Sequence, residues 1–355
     1  MEPLVGIIVP VYNTAKYLKE CLNSIKNQTY NNYICIIIDD GSTDNSLDIA
    51  NEFASNSSLR KFLIFNKQNG GVSSARNFAL NIIEQQNIDP DYICFVDSDD
   101  IIKPTFIETF INNLIKSNAD YAVCGYDEFD KKGIVQSKRR KASNEVLNQS
   151  QIIEHFYAVK NFSFGKGMPF KYRDTTYTWA LYNKCLKYSN IKNIRFDENL
   201  RNCEDMKYFL EASQYLQKGI IIPDQLYLYR LRIGSLVHSK EFDYHSKINN
   251  YQVLTKALNT PLSIHTKEIL TICLCRACYD CLFKAIEYKH YPDSKKFFFE
   301  FKKFINIFSK QNIEGELYKK LRRTKYGYIL NYLYIKYKIF KKQRRISFKI
   351  SSYFS

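Results

Sequence analysis

Apolar residues run almost unbroken through LVGIIVPV (4–11) and again through YICIII (33–38), and each run is closed at once by polar or turn-forming residues. Short β-branched runs of this kind predict strands buried on both faces, the first over 4–13 and the second over 33–44 with its acidic, glycine-bearing end. Between them, Tyr17, Leu18, Cys21, Leu22 and Ile25 recur at spacings of three and four, with Lys and Glu interleaved. That spacing predicts an amphipathic helix over 14–28.

The alternation continues with a helix over 46–54, a strand over 61–66, a helix over 73–86 and a strand over 92–97 that ends in acids. Strands and helices in strict turn predict an α/β fold, a doubly wound and mostly parallel sheet with helices on both faces. Ligands bind such sheets beyond the carboxyl ends of the strands, where this chain carries Pro10, Asp39, Asp40, Asn66, Asp97 and Asp99. The basic, poorly periodic segment 131–143 reads as a surface loop or hairpin. From about residue 241 only long helical patterns remain, so the expected division is an α/β domain over 1–240 and a helical, basic domain over 241–355.

Composition narrows this picture. The 355 residues, 45% of them hydrophobic, suffice for two packed domains. A charge of +16 favours polyanions: nucleic acid, anionic lipid or phosphorylated substrates. Met1 leads straight into an apolar strand with no basic leader, so the ten cysteines are expected as reduced cytosolic thiols. No run of 18 apolar residues appears, and membrane contact is expected to be peripheral. Cys273, Cys275, Cys278 and Cys281 share one uninterrupted helical pattern, which cannot turn all four thiols to one tetrahedral centre; packing explains them better than zinc.

Chemistry enters at the strand ends. Asp97-Ser98-Asp99-Asp100 follows an apolar strand directly, where carboxylates either open a turn or hold a hard divalent cation, Mg²⁺ or Mn²⁺, together with a diphosphate. A second acidic end at Asp39-Asp40 favours the ligand, because carboxylates gathered at neighbouring strand ends repel unless a cation or donor lies among them. Arg76, early in the third helix, is placed to offer charge to a phosphate. Glu204-Asp205 precedes an apolar-periodic helix and reads either as an N-terminal cap or as part of a site.

Four segments in this order, IIVPVYNTAKYLKECLNSIKNQTY (7–30), IIIDDGSTDNS (36–46), NGGVSSARNFAL (69–80) and FVDSDDIIKP (95–104), resemble glycosyltransferase family 2, whose members have the GT-A fold. RFDENLRNCEDMKYFLEAS (195–213) and LYLYRLRIGSLVHS (226–239) look like that family's acceptor-side region, so the likeness spans roughly residues 4–238. The resemblance implies an inverting transfer of a sugar from a nucleotide diphosphate, expected to be UDP, to a hydroxyl of a glycan or lipid-linked acceptor. It assigns Pro10, Tyr12 and Asp40 to the base pocket, with Asp39 left to the fold, and Arg76, Asp97 and Ser98 to the nucleotide sugar. Asp97 and Asp99 correspond to the metal-binding acids, with Mn²⁺ or Mg²⁺ as cofactor, and His238 is either a third ligand or a surface histidine. Asp205, with Glu204 beside it, corresponds to the catalytic base. Trp179, Arg230 and Ser235 fall on the acceptor side, Trp179 being equally suited to a core.

Between Leu317 and Lys349 the tail holds twelve Lys or Arg and no acid, interleaved with Tyr, Ile, Leu and Phe. Such a segment suits an anionic membrane surface, a basic stripe packed on the first domain, or nucleic acid, in that order. Since relatives act on lipid-carried glycans, the resemblance points to peripheral attachment at the cytoplasmic face of the inner membrane and to capsule or lipopolysaccharide assembly. Two rivals remain. A nucleotidyltransferase needs a glycine-rich loop after the first strand, where this chain has VYNTAKYLKE, and an inactive scaffold has no use for intact acids.

Overall fold

A computed structural model describes residues 2–55, 61–138, 144–153, 180–200, 202–231 and 240–259, and scattered positions between 267 and 300. The first half follows the expected alternation: β1 (Val5–Val11), α1 (Ala15–Lys26), β2 (Tyr33–Asp39), α2 (Ser46–Ser55), β3 (Phe62–Asn66), α3 (Val72–Gln85) and β4 (Tyr92–Phe95). In α1 the side chains of Leu18, Cys21, Leu22 and Ile25 are buried, the stripe that their spacing foretold.

After β4 come β5 (Ile101–Ile102), α4 (Phe106–Ser117), β6 (Tyr121–Asp130), β7 (Gly133–Lys138) and β8 (Glu145–Asn148). They are followed by β9 (Lys184–Lys187), α5 (Tyr188–Ile191), α6 (Glu204–Ser213), β10 (Lys218–Arg230) and α7 (Lys240–Leu258). The ten strands form one sheet in the order β3-β2-β1-β4-β9-β6-β10-β5, with β7 on β6 and β8 on β10. Strands β3, β2, β1 and β4 are parallel; β9 runs antiparallel between β4 and β6, and β10 returns parallel to β6. The segment 131–143 is a hairpin in its described part, β7 folding back on β6 through a turn at Asp130–Gly133.

Side chains alternate across the sheet and fill two cores. Ile7, Val9, Cys35 and Ile37 pack against α1, α2 and α4, while Ile8, Ile36, Ile38 and Phe95 pack against α3, α6 and α7. This three-layer arrangement leaves the carboxyl ends of β1, β2 and β4 as a rim between the helix layers, and the candidate acids gather there. Every cysteine among the described residues is free. Cys278 and Cys281 are buried and donate to the carbonyls of Phe297 and Lys247, as packed thiols do, while Cys273 and Cys275 lie outside the described residues.

Candidate active site

The centre of the rim is Arg76. Helix α3 carries it into the interior, its side chain only 4% exposed, with the guanidinium over the rings of Phe95 and Phe196. A cation in such a place requires acids, and three converge on it. Nη1 donates to Asp205 Oδ1 at 2.6 Å and lies 3.8 Å from Glu204 Oε1, while Nη2 donates to Asp97 Oδ1 at 3.2 Å. Residues 76, 97 and 204–205, distant in sequence, therefore share one site.

Each acid has its own reason to be there. Helix α6 starts at Glu204 after Cys203, which adopts φ 65° and gives no side-chain cap. The two acids in its first turn suit the positive end of the helix dipole. Asp205 nevertheless does not cap that end: Oδ1 meets Arg76 and Oδ2 accepts from the Leu181 amide at 3.2 Å. Asp97 follows β4; its amide donates to Tyr227 Oη, and its carbonyl accepts from Cys21 Sγ. Asp97, Glu204 and Asp205 keep 32%, 16% and 19% of their side-chain surface exposed, so the carboxylates reach solvent while their cation does not.

Arg76 does not neutralise them all. Burial pushes Asp97 up to about 6, against the pull of Arg76, with the charges of Asp205 and Asp99 adding to the rise. Burial likewise pushes Glu204 up to about 7, reinforced by Asp205 and opposed by Arg76. An excess of negative charge that protons partly relieve is an environment a divalent cation also relieves. Among the described residues no three Asp, Glu, His or Cys side chains are spaced to hold a metal by themselves. Asp97 and Asp99, carboxylates of one turn, are the residues that could hold such a cation, with a diphosphate and water as its remaining partners.

A second layer holds the acidic turn. Asp100, 1% exposed, accepts from Tyr227 Oη at 2.7 Å and from the Arg230 amide at 2.8 Å. Arg230, expected on the acceptor side, sends Nε to the Asp99 carbonyl and Nη2 to Glu20 Oε2, both at 2.6 Å. Its guanidinium thus clamps the turn to α1. Ser98 is buried and accepts from Thr14 Oγ1, which ties the same turn to the head of α1. Thr14, Asp100 and Tyr227 were absent from the sequence-based candidates. Asp100 was visible as the third acid of the cluster, but its inward direction was not.

On the nucleotide side, Pro10 is buried within β1, while Tyr12 beyond it is 50% exposed. Asp40 is 2% exposed and accepts from Lys67 Nζ and from the amides of Gly70 and Gly71, so it fastens the glycine loop before α3 to the end of β2. Asp39 accepts from the Ser42 amide within its own turn. Arg76, expected to offer its charge to the nucleotide side, has its guanidinium held by Asp205 and Asp97. Trp179, Ser235 and His238 lie outside the described residues, as does the tail 317–355.

The model of the family described as "Glycosyl transferase family 2" matches residues 6–199, more than half of the chain. The chain belongs to glycosyl transferase family 2. Among its relatives in the family, glycosyltransferase GlyG of Streptococcus pneumoniae is 29% identical over 262 residues, 73% of this chain and 81% of GlyG. Glycosyltransferase GlyA of the same organism is 32% identical over 244 residues, 66% of this chain but 32% of GlyA. Among solved structures, S. aureus TarS 1–349 in complex with UDP-GlcNAc superposes with a TM-score of 0.62 at 22% identity, covering 85% of this chain and 80% of that one. Mannosyltransferase PcManGT of Pyrobaculum calidifontis, in complex with GDP-Man and Mn²⁺, gives 0.52 at 17%, covering 81% and 76%. The fold is thus the GT-A fold, and the chain is a family 2 glycosyltransferase.

Proposed function

We propose that this glycosyltransferase moves a sugar from a UDP-sugar to a hydroxyl of a glycan or lipid-linked acceptor with inversion at the anomeric carbon, and that Asp205 is the general base. The observation that carries the reading is the Arg76 node, which joins Asp97 of the donor-side turn to Asp205 at the head of α6. The base and the donor anchor are then two sides of one cleft, as a single displacement requires. Asp205, held by Arg76 and the Leu181 amide, takes the acceptor proton as the oxygen attacks. The diphosphate leaves from the opposite face, toward Asp97 and Asp99.

Asp97 and Asp99 are the residues that would hold Mn²⁺ or Mg²⁺, which when bound supplies Lewis-acid stabilisation of the departing diphosphate. Support for the donor class comes from TarS, solved with UDP and with UDP-GlcNAc, and for the metal from PcManGT, solved with Mn²⁺. Tyr12, exposed at the end of β1, is assigned to the face of the base, and Pro10 and Asp40 shape that pocket from behind. Arg76 and Ser98 keep their assignment to the nucleotide sugar and Arg230 its assignment to the acceptor side, and from the same positions they hold the acids and the acidic turn in place. Trp179 and Ser235 keep their assignment to the acceptor side, and His238 its assignment as a further metal ligand. The catalytic unit is assigned to 1–240 and a helical accessory unit to 241–355, nearly all of whose described residues are helical.

Among the described residues no helix is long and apolar enough to cross a membrane. The basic, aromatic tail is assigned to the anionic cytoplasmic face of the membrane, where a lipid-linked acceptor for surface-polysaccharide synthesis would be met. Incubating the full chain with a panel of nucleotide sugars, with and without Mn²⁺, and measuring released nucleotide tests the donor assignment. Release from a UDP-sugar that depends on the cation and is lost in Asp99→Asn is expected; cation-independent release unaffected by Asp99→Asn overturns the metal assignment, and release only from another nucleotide overturns UDP.

A further inference from the structure

Lys184 is a buried lysine that the proposed chemistry does not use. It begins β9, is 1% exposed, and packs its ammonium over the ring of Phe209 on α6. An ammonium out of water is costly unless hydrogen-bonded. Its Nζ donates to the Ala180 carbonyl at 2.5 Å and to Asn183 Oδ1 at 2.9 Å.

The Ala180 carbonyl and the Leu181 amide are the two ends of one planar peptide unit. At the carbonyl end stands Lys184; at the amide end stands Asp205, whose Oδ2 accepts from Leu181 N at 3.2 Å. We propose that Lys184 is a positioning residue for Asp205, fixing and polarising the Ala180–Leu181 peptide so that its N–H holds Oδ2 while Arg76 holds Oδ1. The geometry leaves that peptide little freedom. The Lys184 amide donates back to the Leu181 carbonyl at 3.1 Å, and Asn183 is pinned to β6 by a bond from its side chain to the Cys124 carbonyl at 2.7 Å. A cation on the carbonyl oxygen draws electron density along the amide and strengthens its N–H as a donor, the cooperative effect expected of hydrogen-bond chains away from water.

Burial pushes the Lys184 ammonium down to about 7, and the negative charge of Asp205 opposes that shift, so the two groups act on each other electrostatically as well as through the peptide. The arrangement gives a carboxylate at the head of a helix two fixed contacts from separate elements, α3 and the turn before β9. Fixing both oxygens orients the lone pair that must meet the acceptor hydroxyl.

This inference rests on Asp205 being the base, and a double-mutant cycle separates the two claims. Lys184→Met keeps the apolar stem and removes the cation; kcat is expected to fall roughly 10- to 100-fold, as misplacement of a reacting group does. The KM for the donor sugar should stay within about twofold, since no donor contact is removed. In the Asp205→Asn background, Lys184→Met should cost little more, because its partner's function is already gone. Losses that multiply, or an unchanged kcat in folded Lys184→Met, overturn the positioning role while leaving Asp205 in place. Near-normal turnover by Asp205→Asn alone overturns the base, and the inference with it. If Lys184→Met does not fold, Lys184→Gln, which still donates to the carbonyl, enters the same cycle: a milder kcat loss that vanishes with Asp205→Asn supports the role, and an independent one refutes it.

Discussion

At the scale of single residues, Arg76 decides the site. It is the buried cation that three carboxylates share, and its aromatic floor of Phe95 and Phe196 excludes water beneath it. Arg76→Met leaves those acids facing one another, which should cost about 2–4 kcal/mol in urea unfolding, toward the low end because the acids open to the cleft. A change below about 0.5 kcal/mol would mean that the acids are held apart by other means. Glu204 carries the complementary expectation for pH. Its folded-state value of about 7 exceeds the ordinary 4.5, so the native state keeps the proton longer than the unfolded chain. The contribution is full below about 4.5 and lost as pH rises through about 7. Thermal melts of Glu204→Gln should therefore decline less over that interval than those of the parent, and parallel curves would contradict it. Residue types and order singled out Asp97 and Asp205, and the structure brings these two together on Arg76. Direction was not legible: Arg230 and Asp40 point inward because their partners, the Asp99 carbonyl and the Gly70 and Gly71 amides, come from remote loops.

At the scale of elements, what was legible divides at β4. Up to there the strands are mostly apolar runs and α1 and α3 bury clear apolar stripes, so pattern and position agree. Past it, β6 contains Gly125 and Asp127, and β10 carries Pro223 and Asp224 at a register shift between Ile222 and Gln225. Acids inside these strands, and a proline at a bulge, break the apolar run that marked β1 despite its own Gly6 and Pro10, and pairing with neighbours reveals them. The antiparallel β9 was hidden for another reason: KCLK has a lysine at each end and only two apolar residues between, unlike the equally short YICF of β4. Turns matter as much as strands here. Gly41 has φ +72°, and a Cβ there would stand 2.8 Å from the Asn69 amide nitrogen. Gly41→Ala should therefore destabilise by about 1–3 kcal/mol and loosen the loop that Asp40 clasps. Measured stability within 0.5 kcal/mol of the parent, with unchanged donor KM, would show that the turn tolerates the shift.

At the scale of the whole molecule, the sheet explains why residues so far apart in sequence act together. The parallel half brings the ends of β1, β2 and β4 to one rim, and the mixed half returns β10 so that Tyr227 and Arg230 brace the acidic turn from the other side. The net charge of +16 is concentrated in part in the tail, whose assignment to an anionic membrane predicts a separable function. Removal of residues 317–355 should abolish sedimentation with vesicles containing anionic lipid while leaving turnover on a soluble acceptor; undiminished vesicle binding would remove the tail from that role.

The central claim is that acids on two sides of the Arg76 node divide the labour, Asp97 and Asp99 on the donor and Asp205 on the acceptor. Asp205→Asn, saturated with donor and cation, isolates it in a single-turnover experiment alongside a titration of donor affinity. The account predicts donor binding within about threefold of the parent and transfer slower by roughly 10²- to 10⁴-fold. Transfer at close to the parent rate, or loss of donor binding in proportion to the loss of transfer, would contradict it.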